Sequence, residues 1–225
     1  HLELVRQYKE ISNPFFIHLH PNGKVLYSIS DPDNEQMVEA LAFDRSTGEL
    51  MPINKQPTEG GYPCYVAVDP SGRTVVAANY KGGSVISYPI DKDGALGAAG
   101  SFVQHVGSSV DPRRQTEPHA HCFKVASDGR FAFAADLGTD KVMIYKLDPE
   151  SGTLRPGEQP FTRVQPAGGP RHFTFAPDDR HAYVINEMGN TVTAFDYDKE
   201  RGLLLEQDTV PTLPADFDGS SATAD

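Results

Sequence analysis

Apolar and polar residues alternate along this chain in short blocks that return at regular intervals, and no stretch shows the 3.6-residue spacing of an amphipathic helix. The block Phe16-Ile-His-Leu-His-Pro-Asn-Gly-Lys-Val-Leu-Tyr-Ser-Ile-Ser30 places two apolar runs around a Pro-Asn-Gly turn. The same pattern returns without gaps at 65–79, 122–136 and 172–186. The turn residues Pro21, Pro70, Ser127 and Pro177 stand 49, 57 and 50 positions apart. Alternating, β-branched and aromatic runs around a tight turn predict a β-hairpin in each copy. A third apolar stretch and a short fourth one follow every hairpin, at 37–50, 84–96, 141–154 and 191–204, each with a Gly-x-Leu or Gly-Leu turn. Four short strands per repeat of roughly 50 residues is the pattern of a propeller blade. An ordinary β-sandwich explains short strands but not a fourfold gapless alignment.

The predicted fold is therefore all-β, a β-propeller of four-stranded antiparallel blades. Blades are expected at about 13–57, 58–107, 115–165 and 166–213, followed by a polar tail at 214–225. Leu2 to Gln7 resembles the fourth-strand segments, which predicts one more outer strand within 1–12 and about four and a quarter blades in all. The last blade already owns its fourth strand, so this leading strand is surplus. Either the blades form an open arc with exposed edges, an aggregation liability, or they are a piece of a larger ring. The second reading is the one adopted.

Composition narrows the partners. The chain has 225 residues and carries no apolar run of membrane-spanning length. Its net charge of −11 gives no general basic field for nucleic acid. Neither a membrane nor a nucleic-acid partner is expected, and the oligomeric state is left open. Trp is absent, which removes the WD dipeptide of the commonest propellers. The two cysteines, Cys64 and Cys122, are too few for a disulfide framework or a four-cysteine zinc site. They fall near the starts of successive first strands, where core packing is the simplest role. The chain begins with His1 rather than Met, and cytoplasmic placement is the expectation, with a leader upstream left open.

Where aligned copies disagree, chemistry has room. Six positions before the turn stand Phe15, Cys64, His121 and Arg171; ten after it stand Asp31, Tyr80, Leu137 and Glu187. One position earlier are Ser30, Asn79, Asp136 and Asn186. Hairpin geometry brings these rows to one end, so His119, His121, Arg171, His172 and Glu187 should face one mouth of the central channel. Arg offers a rigid fork for an anion, His moves protons near neutral pH, and Glu187 can act as a base unless an arginine holds it ionised. A structural Arg171–Glu187 ion pair is the plainer alternative. His119 and His121 also suit a metal geometrically, but no third ligand is evident, so no metal or cofactor is expected. The longer third interval inserts residues 104–118 at the same mouth. That loop, with His105, Arg113, Arg114 and Gln115, reads either as a ligand-binding rim or as solvated surface. Lys81-Gly82-Gly83-Ser84 reads as a turn.

Segments 60–85, 113–148, 169–192 and 212–219, with Pro118-His-Ala-His121, Gly169-Pro-Arg-His172 and Asn186-Glu187, resemble the lactonase family of seven-bladed propellers, of the bacterial 6-phosphogluconolactonase and fungal carboxy-muconate lactonizing type. The resemblance covers essentially the whole chain and stops where a fifth hairpin would begin. It implies an incomplete seven-bladed ring and a carboxylic ester hydrolase acting on a small, anionic lactone, with 6-phosphogluconolactone of the pentose phosphate pathway the leading substrate. It also implies catalytic roles for His121, Arg171 and Glu187, with His119, Arg114, Gln115, Tyr80, His172 and Asn186 near the substrate. In that picture Arg171 and Arg114 hold the anion and polarise the carbonyl, Glu187 or a histidine activates water, and His121 protonates the leaving alkoxide. Cycloisomerisation of a carboxy-muconate and non-catalytic binding are the alternatives.

Overall fold

A computed structural model describes residues 4, 6–9, 11–31 and 34–224. The first sheet comprises β1 (Ile17–Leu19), β2 (Val25–Ser30), β3 (Met37–Asp44) and β4 (Glu49–Pro57). The second comprises β5 (Pro63–Val68), β6 (Thr74–Asn79), β7 (Ser84–Pro89) and β8 (Ser101–Gln104). The third holds β9 (Ala120–Val125), β10 (Phe131–Asp136), β11 (Lys141–Asp148) and β12 (Thr153–Arg163), and the fourth β13 (Pro170–Phe175), β14 (His181–Asn186), β15 (Thr191–Asp198) and β16 (Leu203–Pro211). Each sheet is an antiparallel meander in chain order. The first strands β1, β5, β9 and β13 pack against one another in succession, which makes them the innermost strands of consecutive blades. Among the described residues no helix is long and apolar enough to cross a membrane.

The hairpin turns follow from their residues. Asn22, Asp69, Asp128 and Asp178 each accept a backbone N–H from two or more positions ahead, closing the turn with a side chain. Positive φ follows within each turn, at the very next residue for Gly23, Gly129 and, in the fourth copy, Asp179 at 54°, and three residues after Asp69 at Gly72. The fourth hairpin thus departs from the Gly rule with a residue type that tolerates the left-handed region.

The predicted leading strand at 1–12 lies partly outside the described residues, and the described ones form no strand. Instead the Tyr8 hydroxyl donates to the Gly48 carbonyl at 2.7 Å and accepts from Leu50 N at 2.7 Å. The segment is thereby pinned to the turn between β3 and β4. At the other end, the polar tail folds back: Thr223 N donates to the Glu187 carbonyl at 3.2 Å, and its hydroxyl to Asn190 Oδ1 at 2.8 Å.

The core lies between blades. One apolar cluster joins the first and second blades and a larger one the second, third and fourth. Phe133 on β10 is fully buried and stacks on Phe173 of β13, ring centres 5.2 Å apart, with Phe175 and Tyr197 edge-on to it. Phe133→Ala should therefore cost about 3–5 kcal/mol in urea unfolding; a loss below about 1 kcal/mol would mean that the blades do not depend on this stack.

Candidate active site

The ladder between the first and second strands slips at one point in three blades. Pro63 pairs with Asn79 and Tyr65 with Ala78, leaving Cys64 unpaired. Ala120 pairs with Asp136 and Cys122 with Ala135, leaving His121. Pro170 pairs with Asn186 and His172 with Ile185, leaving Arg171. A β-bulge adds one residue to a strand and re-aims its side chain. The residues that the alignment singled out six positions before the turn are thus the bulged residues themselves, and in the third and fourth blades the bulge aims a titratable or cationic group at one mouth. In the second blade the slot holds a thiol with Sγ 3.4 Å from the His121 carbonyl, where burial pushes its pKa up. Cys64 and Cys122 are both buried, as core packing requires.

Glu187 is the electrostatic centre. Its carboxylate is almost fully buried and accepts from two guanidiniums: Arg171 Nη1 on Oε2, and Arg114 Nη2 on Oε1 at 2.9 Å. Burial alone would raise its pKa, but hydrogen bonds from Arg114 and Arg171 more than offset that and hold it below the usual carboxylate range. The ion pair is therefore formed, and it includes a second arginine from the rim loop. As a general base Glu187 is disfavoured, because a carboxylate so held resists taking a proton.

His121 has the opposite character. Burial first, then the Arg171 charge and neighbouring His172, push its pKa down to about 4. It is a neutral imidazole at pH 7, so it must first accept a proton before it can give one to a leaving alkoxide. Its Nδ1 is buried without a protein partner.

Ring side chains run in file from the rim into the channel. His119 stacks on Tyr80 with centres 4.6 Å apart, and its Nδ1 bonds the Tyr80 carbonyl at 3.0 Å. Tyr80 meets His121 edge-on at 5.5 Å, and His121 meets His172 at 5.3 Å. His172 then meets Tyr65, which packs on Phe16. A cavity of about 350 Å³ extends from His172 past these rings to Lys124 and Thr174. The Tyr80 hydroxyl accepts from Arg114 Nη2 at 3.0 Å, joining this file to the arginine pair. Arg114 makes this bond and the one to Glu187 through Nη2, and its side chain is 45% exposed. Among the described residues no three His, Cys, Asp or Glu groups are placed to hold a metal ion.

Two expected substrate contacts lie elsewhere. Gln115 is fully buried: its amide donates to the Leu137 carbonyl at 2.8 Å and Asp140 at 2.7 Å, and its oxygen accepts from Asp111 N. It staples the rim loop from inside. Asn186 is likewise buried, donating to the hydroxyls of Thr191 and Thr193 within its own blade. His105 is not at the surface of the loop either, since it bridges Asp136 Oδ2 at 2.6 Å and the Tyr145 hydroxyl at 2.8 Å. Asp136 also accepts from His119 N, so one buried carboxylate holds both ends of the loop. Its signal in the sequence was an acid in a row of otherwise neutral polar residues.

The family model described as lactonase, 7-bladed beta-propeller, matches residues 1–225. The chain belongs to the lactonase family. A 6-phosphogluconolactonase of Bacillus subtilis (strain 168) is 35% identical over 213 residues, covering 94% of this chain and 59% of that protein. A 6-phosphogluconolactonase of Formosa agariphila is 29% identical, covering 86% of the chain and 56% of its own length. Among solved structures, the periplasmic gluconolactonase of Pseudomonas aeruginosa superposes with a TM-score of 0.89 at 30% identity, over 97% of this chain and 62% of that one. The chain thus spans less than two thirds of the length of these lactonase-family relatives.

The depressed pKa of His121 makes stability depend on pH. The unfolded chain binds this proton below the ordinary histidine pKa of 6.5, whereas the fold refuses it until about 4. The contribution is complete above 6.5 and is lost as pH falls to about 4, a difference of about 3 kcal/mol. His121→Gln should flatten that part of the stability profile in urea unfolding at stepped pH, and an unchanged profile would place the titration on another group.

Proposed function

We propose that this mouth hydrolyses the ester bond of a sugar-type lactone, with 6-phosphogluconolactone as the leading substrate. The supporting observation is a neutral, buried imidazole set beside a guanidinium that is fixed by an ionised carboxylate. That arrangement places a proton acceptor next to a stationary positive charge, which is what attack on a carbonyl demands. Relatives named 6-phosphogluconolactonase agree with this reading.

The reaction is written with His121 in both proton steps. The imidazole takes a proton from water as its oxygen bonds to the lactone carbon, and Arg171 faces the negative charge that grows on the carbonyl oxygen. The imidazolium so formed returns the proton to the ring oxygen as the carbon–oxygen ester bond breaks, giving the hydroxy acid. Glu187 is a positioning group that holds Arg171 and Arg114 at a fixed separation. Arg114, half-exposed at the rim, receives the anionic end of the substrate.

A neutral aldonolactone is the second reading, favoured by the Glu187 carboxylate, which already engages both guanidiniums and repels an incoming anion. Compartment follows substrate charge: a phosphorylated lactone implies the cytoplasm, a neutral one permits the periplasm, where the Pseudomonas aeruginosa relative is named to reside.

Purified intact protein should be assayed on 6-phosphogluconolactone, δ-gluconolactone and a simple δ-lactone. His121→Asn is expected to lower kcat by roughly 10²–10⁴-fold, and wild-type kcat/KM to fall only as pH approaches about 4. Arg114→Gln should raise KM for the phosphorylated substrate alone; an equal effect on the neutral lactone would select the second reading. No turnover of any lactone, or unchanged kcat/KM in His121, Arg171 and Glu187 variants, would sink the assignment.

A further inference from the structure

The turn between the second and third strands of a blade ends on a residue in the left-handed region. That residue is Gly83 at φ 56°, Asp140 at 54° and Asn190 at 50° in the second, third and fourth blades. Gly, Asn and Asp are the residue types that enter this region most readily. In all three its carbonyl accepts an N–H from just beyond the fourth strand: from His105 at 2.9 Å, Val164 at 3.1 Å and Thr212 at 2.9 Å. The backbone role is therefore common to the blades, and only the third blade places a carboxylate there.

The Asp140 side chain is buried and accepts four hydrogen bonds from uncharged donors. Oδ2 takes the Ser109 hydroxyl at 2.6 Å and Ala167 N at 2.8 Å. Oδ1 takes the Gln115 amide at 2.7 Å and Gly169 N at 2.8 Å. Ser109 and Gln115 belong to the rim loop, and Gln115 is the neighbour of Arg114. Ala167 and Gly169 belong to the connection leading into bulged Arg171. That connection is strained, since Ala167 holds φ at 60°, a conformation that persists only where its surroundings enforce it.

We propose that Asp140 is a positioning residue that fixes Arg114 and Arg171 relative to each other, and so sets the geometry in which both meet Glu187. The proposal deepens, and rests on, the lactonase reading of this mouth. One carboxylate anchors two segments from different parts of the chain, each carrying one of the guanidiniums, and it contacts neither guanidinium nor substrate. An amide in its place offers one acceptor oxygen and turns an NH2 group toward two of the four donors.

Asp140→Asn is the test, because Asn190 already occupies the equivalent turn in the fourth blade and the backbone accepts it. In the intact protein, at a temperature where both forms are folded, kcat/KM for the lactone is expected to drop by about 10- to 100-fold. The drop should shrink when Arg114 is already Lys, because the two changes act on one geometry. Hydrogen exchange at the Ala167 and Gly169 amides should accelerate while amides of β9–β12 keep their protection. A kcat/KM within about twofold of wild type, or unchanged exchange at those two amides, would overturn the proposal. Should the parent protein turn over no lactone, that result removes the lactonase reading alone, and accelerated exchange at Ala167 and Gly169 would still support the anchor.

Discussion

A four-stranded blade has two apolar faces and can bury them only against its neighbours. Everything else in this molecule follows from that radial packing. Phe133 of one blade lies flat on Phe173 of the next, and the larger apolar cluster runs through three blades without a break. Because the sheets stack face to face, their first strands converge, and residues some fifty positions apart in the chain end side by side. Tyr80, His121 and Glu187 each sit at the same end of their blade, and only the stacking makes them neighbours.

Burial at that mouth sorts its charges. Glu187 is kept ionised by two arginines, whereas His121, desolvated and facing a guanidinium, is kept neutral. Both groups are thereby left without their titrating proton at neutral pH, one charged and one uncharged, and the arginines outnumber the carboxylate on which they converge. In a protein of net charge −11, two guanidiniums thus meet on one carboxylate as a local focus of paired charge. That focus is built by hydrogen bonding rather than by composition, and no count of charges along the chain reveals it.

How much of this is legible in the sequence depends on how locally each feature is determined. The hairpins are local: a turn-closing Asn or Asp shortly before Lys or Arg, Gly or Asp at the left-handed position, and apolar runs on either side specify them directly. That His121, Arg171 and Glu187 come together was readable because a repeat supplies its own control, and those positions broke it. Gln115 and Asn186, expected near the substrate, are buried in hydrogen bonds to the protein. A polar side chain at a mouth looks the same in sequence whether it faces a ligand or the Asp140 carboxylate and the Thr191 hydroxyl. The bulges were invisible because an alignment without gaps hides a slip in pairing, and the role of Asp140 was invisible because its four partners lie 25 to 31 residues away. The protonation state of His121 is likewise a matter of environment, since residue type alone gives it an ordinary pKa and burial moves it.

The unpaired residue in the second blade carries a further meaning. Cys64 occupies the same slipped position as His121 and Arg171, yet it is an inert thiol folded against its neighbour's backbone. The slot therefore exists whether or not it is used for chemistry. A protein made of repeated blades inherits several such slots at once, already aimed at a common opening. New reactivity then requires one codon to change in a position whose geometry is settled, with no loop to invent and no strand to move. The slipped pair in each of three blades is a socket, and the character of the mouth is written in what is plugged into it.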